Sequence, residues 1–312
     1  EGFCYRFTVE TGTLLHAGTD GVRIAPEAGR ICLLLADTTL TEPIFTPRYL
    51  EDPAPLDHVQ TQWTENGAVP PFMPQLDPPE CVFPAGTRAS VTLTARQEGI
   101  LRYTTDGTLP DEHSPVYTGP IPLERDTVLC ARLFLADGRV SETARAHYQF
   151  VLTEMDLQSP TRFDPRPVFS AGGIRGLLAP RRGSCDYLCG QWLGTLQDLD
   201  VTALLPEEKA IESIGLGFLS HHRSGIVFPE YIELFTGPDP EHLTLKDTLH
   251  LPCAPCAREI ARQDVVFPVN ETLRCFRLVA HRYARMPKWC AYKGVPDVFT
   301  MADTLLVKPK QS

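Results

Sequence analysis

The stretch ASVTLTARQEGILRYTTDG, residues 89–107, decides the fold class. Residues 89–95 alternate polar and apolar side chains with a period of two, the pattern of a half-buried β-strand. A second strand-like run, residues 100–105, ends at Asp106-Gly107. Asp-Gly suits a tight turn that requires a positive φ angle, so the stretch predicts a β-hairpin.

The same pattern continues on the C-terminal side of that stretch. Asp137-Gly138 separates two further strand-like runs, residues 128–135 and 139–144. Regularly spaced strands without a helical period predict a small β-sandwich. The composition agrees, because 29 prolines and 22 glycines among 312 residues are typical of a turn-rich chain. We therefore expect an all-β protein.

The length of the chain exceeds what one hydrophobic core usually organises, so we expect two or three domains. The proline-rich run PPFMPQLDPP, residues 70–79, predicts a linker, since proline lacks a backbone donor and restricts its predecessor. A second group of prolines indicates a softer boundary between residues 151 and 166. The expected domains are residues 1–71, 72–150 and 151–312.

The first domain has three strand-like runs separated by turn residues. Residues 3–9 and 22–25 are short, and residues 31–35 form an apolar run of the kind that becomes a buried strand. The sequence predicts a small β-domain here, of no type that its motifs identify.

Charge and motifs exclude several functional classes. A net charge of -10 is unlike that of nucleic-acid-binding proteins, which track phosphates with clustered cations. No apolar run approaches the roughly 20 residues of a membrane span. No Ser-His-Asp, glycine-rich phosphate or HExxH arrangement has a fitting context, and Asp111-Glu112 falls in a predicted loop as surface carboxylates. We expect no enzyme activity, no cofactor and no bound metal.

Ten cysteines are many for a cytosolic chain of this length, which favours export. Each expected domain holds an even number of them. We therefore predict disulfides between Cys4 and Cys32 in the first domain and between Cys81 and Cys130 in the second. Buried free thiols, which behave as small apolar side chains, are the alternative.

Four cysteines of the third domain have the short spacings of metal-binding knuckles. Cys253 and Cys256 form a CxxC pair, and Cys185 with Cys189 would supply a second pair for a tetrahedral zinc site. The long separation between the pairs favours disulfides or free thiols instead.

Three segments of the second domain resemble one known family. They are ILRYTTDGTLPD at residues 100–111, SPVYTGPI at residues 114–121 and LCARLFLADGRVS at residues 129–141. They resemble the C-terminal domain of chitobiase and β-hexosaminidase, a module that follows the catalytic barrel in bacterial family 20 glycoside hydrolases. The resemblance implies a fibronectin-like β-sandwich that serves as an accessory module without an active site.

The third domain resembles the discoidin-like (coagulation-factor type C) domain that often follows this module in the same hydrolases. The segments that carry the resemblance are residues 182–201, 214–235 and 276–307, in the same order. It implies a jelly-roll β-sandwich. The sequence departs from the family pattern at Cys290, where the family has histidine, at Phe299, near a family tryptophan, and at Thr304, where it has glutamate.

Loops at one end of such a sandwich are free to carry contacts, because the strands form the core. We predict a ligand site there with Trp289 as its anchor, since an indole covers the apolar face of a sugar while its N–H makes a polar contact. Tyr292, Arg182 and His222 are the expected neighbours. Core packing is the alternative for Trp289 and the preferred interpretation of Trp192.

These features together predict a non-catalytic, exported protein that binds carbohydrate or another component of the bacterial cell surface. Two alternatives stay open at this point. The same modules could form a structural scaffold that binds proteins of an envelope assembly. They could also be the accessory C-terminal part of a glycoside hydrolase.

Overall fold

The computed structural model describes residues 73–251, 260–288 and 293–310, and the backbone of four short strands before residue 36. The chain divides into two compact units, residues 1–70 and 71–312. The second unit contains both predicted C-terminal domains, so the predicted boundary near residue 151 stays a prediction.

The first unit contains two small antiparallel pairs of strands. β1 (Tyr5–Arg6) pairs with β4 (Leu34–Leu35), and β2 (His16–Gly18) pairs with β3 (Gly21–Arg23). β1 and β4 lie within the predicted runs 3–9 and 31–35, and β3 overlaps the predicted run 22–25. Each of the three strands is shorter than the run that predicted it.

Residues 73–151 form a β-sandwich that we call the middle sandwich. Its strands are β5 (Gln75–Asp77), β6 (Val82–Pro84), β7 (Ala89–Thr94), β8 (Ile100–Thr104), β9 (Ile121–Leu123), β10 (Thr127–Phe134) and β11 (Ala144–Val151). One sheet has the strand order β5-β7-β9 and the other has the order β6-β11-β10-β8. The alternating pattern of β7 places Val91 and Leu93 in the core between the two sheets, together with Leu129 and Tyr148.

The two Asp-Gly turns have different outcomes. Asp137-Gly138 connects β10 to β11, which pair antiparallel, and Gly138 has the expected positive φ of 86°. Asp106-Gly107 follows β8 and does not close a hairpin, because the next strand, β9, belongs to the other sheet. Instead the Asp106 carboxylate accepts hydrogen bonds from the amide of Thr108 at 3.0 Å and from its hydroxyl, which shapes a loop leading to β9.

Residues 152–310 form a second sandwich, the C-terminal sandwich. Its described residues include one short helix, two 3-10 turns and seven strands. These elements are β12 (Asp156–Gln158), α1 (Pro167–Ser170), the 3-10 turns Ile174–Leu178 and His222–Ser224, β13 (Leu193–Thr195), β14 (Leu199–His221), β15 (Tyr231–Gly237), β16 (Thr244–His250), β17 (Ile260–His281) and β18 (Thr300–Pro309).

The two longest strands, β14 and β17, pair antiparallel along most of their length and are shared between two layers. The first part of β14 and the last part of β17 join β12, β15 and β16, whereas their other parts join β18 and β13. Register shifts between Leu204 and Lys209 and between Ile211 and Ser213 mark the place where β14 changes layer. This arrangement is a jelly roll, and the predicted all-β fold is confirmed.

The middle sandwich packs against the C-terminal sandwich. Val82, Val151 and Leu306 form a buried apolar cluster between them. Backbone hydrogen bonds join them as well, including one of 2.8 Å from Leu152 N to Val307 O. Polar contacts surround this cluster: Gln149 donates to Asp264 at 3.1 Å, Arg262 pairs with Glu80, and Lys308 pairs with Asp126.

The described residues include no helix that is long and apolar enough to cross a membrane.

Candidate ligand-binding site

Several strand ends of the C-terminal sandwich meet at one end, which we call the loop end. Its described part consists of residues 222–230, between β14 and β15, and of residues 282–288 and 293–299 of the connection 282–299, between β17 and β18. The two connections lie side by side, because Ile226 forms a parallel bridge with Phe299 and Val227 N donates to Phe299 O at 3.2 Å. Val227, Val298 and Met286 share a small buried cluster.

The connection 282–299 has a well-defined stem. Met286 N donates to Val295 O at 2.8 Å, and Gly294 N donates to Met286 O at 2.9 Å. The Arg285 guanidinium adds a hydrogen bond of 3.0 Å to Gly294 O, and the Arg282 guanidinium donates to Pro296 O at 3.0 Å. These bonds hold the two described arms of the connection together.

A row of rings lies beside this stem on the outer surface of the sheet. His250, Tyr231 and His281 occupy one register row across β16, β15 and β17. The rings of Tyr231 and His281 are stacked with centroids 4.2 Å apart. The two imidazole nitrogens of His281 lie 3.0 Å from Asp198 Oδ2 and 2.9 Å from Glu233 Oε2. The row therefore combines ring surface with carboxylate acceptors, which a polar ligand with an apolar face requires.

Aromatic packing holds the elements near the loop end in place. Trp192 is fully buried and its indole N–H donates to Ser184 O at 3.0 Å, which confirms that it belongs to the core. A Cβ atom at Gly183 would overlap the Trp192 indole, and one at Gly194 would come within 2.5 Å of the Phe299 ring. Glycine is required at both positions so that these rings can pack against the backbone.

Arg182 lies away from the loop end, inside the C-terminal sandwich, and its side chain is only 1% exposed. Its guanidinium donates to Asp303 at 2.7 and 3.2 Å and also pairs with Asp264. A Cβ atom added at Gly217 would lie 2.5 Å from a guanidinium nitrogen of Arg182, so the guanidinium packs beside this part of β14. Gly217 precedes His222, which follows β14, by five residues, or roughly 16 Å along an extended strand.

The three side chains form a closed ion-pair cluster. Burial alone would lower the pKa of Arg182, but the adjacent Asp303 and Asp264 raise it above its ordinary value. Burial would raise the pKa of Asp264, and the hydrogen bonds and charge of Arg182 lower it instead. Both carboxylates hold Arg182 within the sandwich, so its prediction as a ligand-binding neighbour is corrected: Arg182 is a structural residue.

The other predicted site residues have separate outcomes. His222 begins the 3-10 turn that follows β14, so the structure places it at the loop end as expected. Trp289 and Tyr292 lie outside the described residues and stay predictions. The described residues Lys288 and Lys293 flank them in the sequence.

The predicted disulfide between Cys81 and Cys130 is wrong in this structure, where both cysteines are free and buried. Cys81 lies next to β6 and Cys130 lies on β10, and β11 runs between these strands. Two strand spacings amount to about 9.6 Å, more than the roughly 7 Å that a disulfide spans between Cα atoms. Burial raises the pKa of Cys81 to about 11, so its thiol is protonated. Cys4 and Cys32 lie outside the described residues.

Cys185 and Cys189 are also free thiols, and both line a cleft of about 700 Å³ between the two sandwiches. Cys253 and Cys256 lie outside the described residues. Over the ranges that the structure describes, no group of three or more His, Cys, Asp or Glu side chains could hold a metal ion.

The sequence did not predict several residues of the loop end. Tyr231 and His281 are 50 positions apart in the sequence, so their stacking depends on the register between β15 and β17. An alternating pattern predicts that both face away from the core, but it does not predict which strands are neighbours. Asp198 and Glu233 were missed for the same reason.

Part of the middle sandwich matches a known family. Residues 83–145 match the chitobiase/beta-hexosaminidase C-terminal domain family. This match confirms the resemblance that the motifs of the middle sandwich indicated. No curated protein matches the chain in sequence.

Solved structures with similar folds include carbohydrate-binding and chitobiase domains. A CBM32 module of a family 31 glycoside hydrolase from Clostridium perfringens is 12% identical, with a TM-score of 0.34, covering 51% of this chain and 92% of that module. The C-terminal domain of a chitobiase from Bacteroides fragilis is 12% identical, with a TM-score of 0.31, covering 51% and 97%. A fucolectin from striped bass serum is 12% identical, with a TM-score of 0.35, covering 51% and 48%. These values are low, so the similarities assign no ligand to this chain.

Proposed function

We propose that this chain is a non-catalytic carbohydrate-binding protein whose loop end holds a glycan. The observation that carries the proposal is that residues 83–145 match a family of domains from carbohydrate-active enzymes. The C-terminal sandwich follows this domain directly, and hydrogen bonds order the loops at its loop end. An accessory module of this kind keeps a catalytic partner or a whole cell close to polysaccharide, so a binding surface beside it has a clear use.

The chemistry of the loop end supports a sugar ligand. A pyranose ring has an apolar C–H face and a rim of hydroxyls, so it needs a flat ring and several hydrogen-bonding groups. The row formed by His250, Tyr231 and His281 offers ring surface, and Asp198 and Glu233 offer acceptors. We propose Trp289 as the anchor and Tyr292 and His222 as its neighbours. Arg182 has no part in this site.

We further propose that the protein is exported and acts at the cell envelope, with a glycan or another surface component as its partner. The family match supports the carbohydrate-related part of this proposal. A protein-binding scaffold and the accessory part of a hydrolase are the competing functions. The complete gene distinguishes the hydrolase, because it either encodes a catalytic barrel in the same polypeptide or does not.

A glycan array followed by calorimetric titration of the best ligand tests the proposal. We expect Trp289→Ala to weaken binding roughly thirtyfold, since central aromatic residues contribute about 2 kcal/mol or more to such sites. The matched control is Leu245→Ala, which shortens a 53% exposed apolar side chain on β16 and should leave the affinity unchanged.

The outcomes separate the competing functions. Unchanged affinity in Trp289→Ala would place the site elsewhere. If that variant fails to fold, Tyr292→Ala and His222→Ala provide the same test. If no glycan binds the wild-type protein and a pull-down from native envelopes retains a protein, the carbohydrate proposal is overturned in favour of the scaffold.

A further inference from the structure

The connection 282–299 carries a charge opposite to that of the rest of the chain. It contains four cations and a single carboxylate, Asp297, which gives a net charge of +3. The whole chain has a net charge of -10, so the remaining residues have a net charge of -13. The cations are Arg282, Arg285, Lys288 and Lys293.

These cations have no carboxylate partner within the described part of the chain. The guanidinium groups of Arg282 and Arg285 donate to backbone carbonyls instead, at 3.0 Å each, and each keeps further N–H groups for other acceptors. Arg285, Lys288 and Lys293 are exposed. Lys288 and Lys293 form no ion pair with any residue that the structure describes.

Several cations elsewhere in the same sandwich have carboxylate partners. Arg277 forms a two-point ion pair with Asp200, Lys246 pairs with Glu271, and Lys209 lies 3.4 Å from Glu207. The connection 282–299 differs from them because it concentrates four cations beside a single carboxylate in 18 residues.

Two carboxylates beside this connection form no ion pair with its cations within the described residues. Asp198 accepts a hydrogen bond from the backbone amide of Arg282 at 3.1 Å and lies 3.0 Å from His281, and Glu233 lies 2.9 Å from the other imidazole nitrogen of His281. These contacts are with the ring row and with the backbone, not with the guanidinium or ammonium groups. The charged groups of Arg285, Lys288 and Lys293 thus stay available to a ligand.

We infer that the loop end binds an anionic glycan, whose uronic acid carboxylates or sulfate esters contact Lys288, Lys293 and Arg285. This inference rests on the proposed function and adds the class of sugar. Guanidinium groups match carboxylate and sulfate oxygens with paired N–H donors, and the two lysines supply further positive charge. A neutral glycan would offer these cations hydroxyl acceptors but no opposite charge.

Three oligosaccharides of equal length test the inference by titration: an oligogalacturonate, a heparin fragment and a neutral chito-oligosaccharide. At low salt we expect at least one anionic probe to bind about tenfold or more tightly than the neutral probe. We expect this advantage to shrink severalfold at about 0.5 M salt, because exposed charges are then screened. The oligogalacturonate and heparin arms distinguish carboxylate from sulfate as the contacting group.

Charge-removing variants locate the contact. Lys288→Gln combined with Lys293→Gln should weaken binding of the anionic probe about tenfold, as two exposed charge pairs would predict. Lys209→Gln combined with Lys246→Gln removes the same charge from other surfaces of this sandwich and should change the affinity less than about twofold.

Each contrary result has a distinct meaning. Equal affinity for neutral and anionic probes would overturn this inference and leave the proposed function intact. Equal weakening by the two double variants would also overturn it, because it would indicate binding governed by net charge alone. If no oligosaccharide of either kind binds, the proposed function fails as well.

Discussion

Arg182 and the cations of the connection 282–299 carry the same charge in one sandwich but occupy opposite environments. Arg182 is buried, and two carboxylates surround its guanidinium. Arg285, Lys288 and Lys293 are exposed, and no carboxylate within the described residues pairs with them. The first arrangement is complete without a ligand, whereas the second has charge available for one.

Pairing, more than charge or residue type, separates the structural cation Arg182 from the cations that are available to a ligand. A buried guanidinium is stable only when its hydrogen bonds and charge are satisfied, so removing one partner is costly. An exposed cation costs little to keep and contributes little to folding. A change at Arg182 should therefore affect stability, and a change at Lys288 should affect binding.

The largest effect should come from Arg182→Ala. The substitution leaves Asp303, which is 1% exposed, beside Asp264 without a neutralising cation. We expect a loss of about 3–5 kcal/mol in the free energy of unfolding, as for other broken buried ion pairs. Urea denaturation followed by the fluorescence of the buried Trp192 measures this loss.

Arg277→Ala is the matched control for that variant. Arg277 also forms a two-point ion pair, with Asp200, but its side chain is 42% exposed. Its loss should cost about 0–1 kcal/mol. Similar losses in the two variants would contradict the view that burial makes the Arg182 cluster structural.

A smaller effect should follow from Gly217→Ala. A Cβ atom at this position would overlap Asp303 Oδ1 and lie within 2.5 Å of an Arg182 guanidinium nitrogen. Both groups are fixed by their hydrogen bonds, so we expect a loss of about 1–3 kcal/mol from overpacking.

Gly119→Ala is the control, because its Cβ would meet no atom within 4 Å. Urea denaturation of both variants provides the comparison. If Gly217→Ala were as stable as Gly119→Ala, the Arg182 cluster would have to be more adaptable than its geometry indicates.

The sequence alone predicted features that depend on local patterns. The alternation around Val91, the turn at Asp137-Gly138 and the burial of Trp192 follow from residue types within a few positions. The family of the middle sandwich was predictable for the same reason, because each motif that identifies it is a short continuous segment of the chain.

Features that depend on distant partners were not predictable. Arg182 is 82 positions from Asp264 and 121 positions from Asp303, and no local pattern reports either contact. Because the sequence does not reveal these partners, the pattern around Arg182 indicates an exposed cation in a loop. The even number of cysteines in the second domain led to a wrong disulfide prediction for the same reason. A count of cysteines does not reveal that β11 lies between the strands of Cys81 and Cys130.

The smallest effect should come from Asp264→Asn, which removes a carboxylate paired with Arg182, and this effect should depend on pH. Because Arg182 lowers the pKa of Asp264 below that of an unfolded aspartate, this carboxylate stabilises the folded protein when it is ionised. That contribution is fully present above about pH 4 and is lost as the pH falls through the lowered pKa.

Asp264→Asn should therefore be about 1 kcal/mol less stable than the wild-type protein at pH 7, as expected for a hydrogen bond to a charged group. The difference should shrink towards zero in strong acid, whereas Glu112→Gln, which changes an exposed carboxylate, should differ from the wild-type protein by less than about 0.5 kcal/mol at pH 7. Urea denaturation at about pH 7, 4 and 2.5 measures the difference, and a constant gap between Asp264→Asn and the wild-type protein would show that Asp264 acts through its shape and not through its charge.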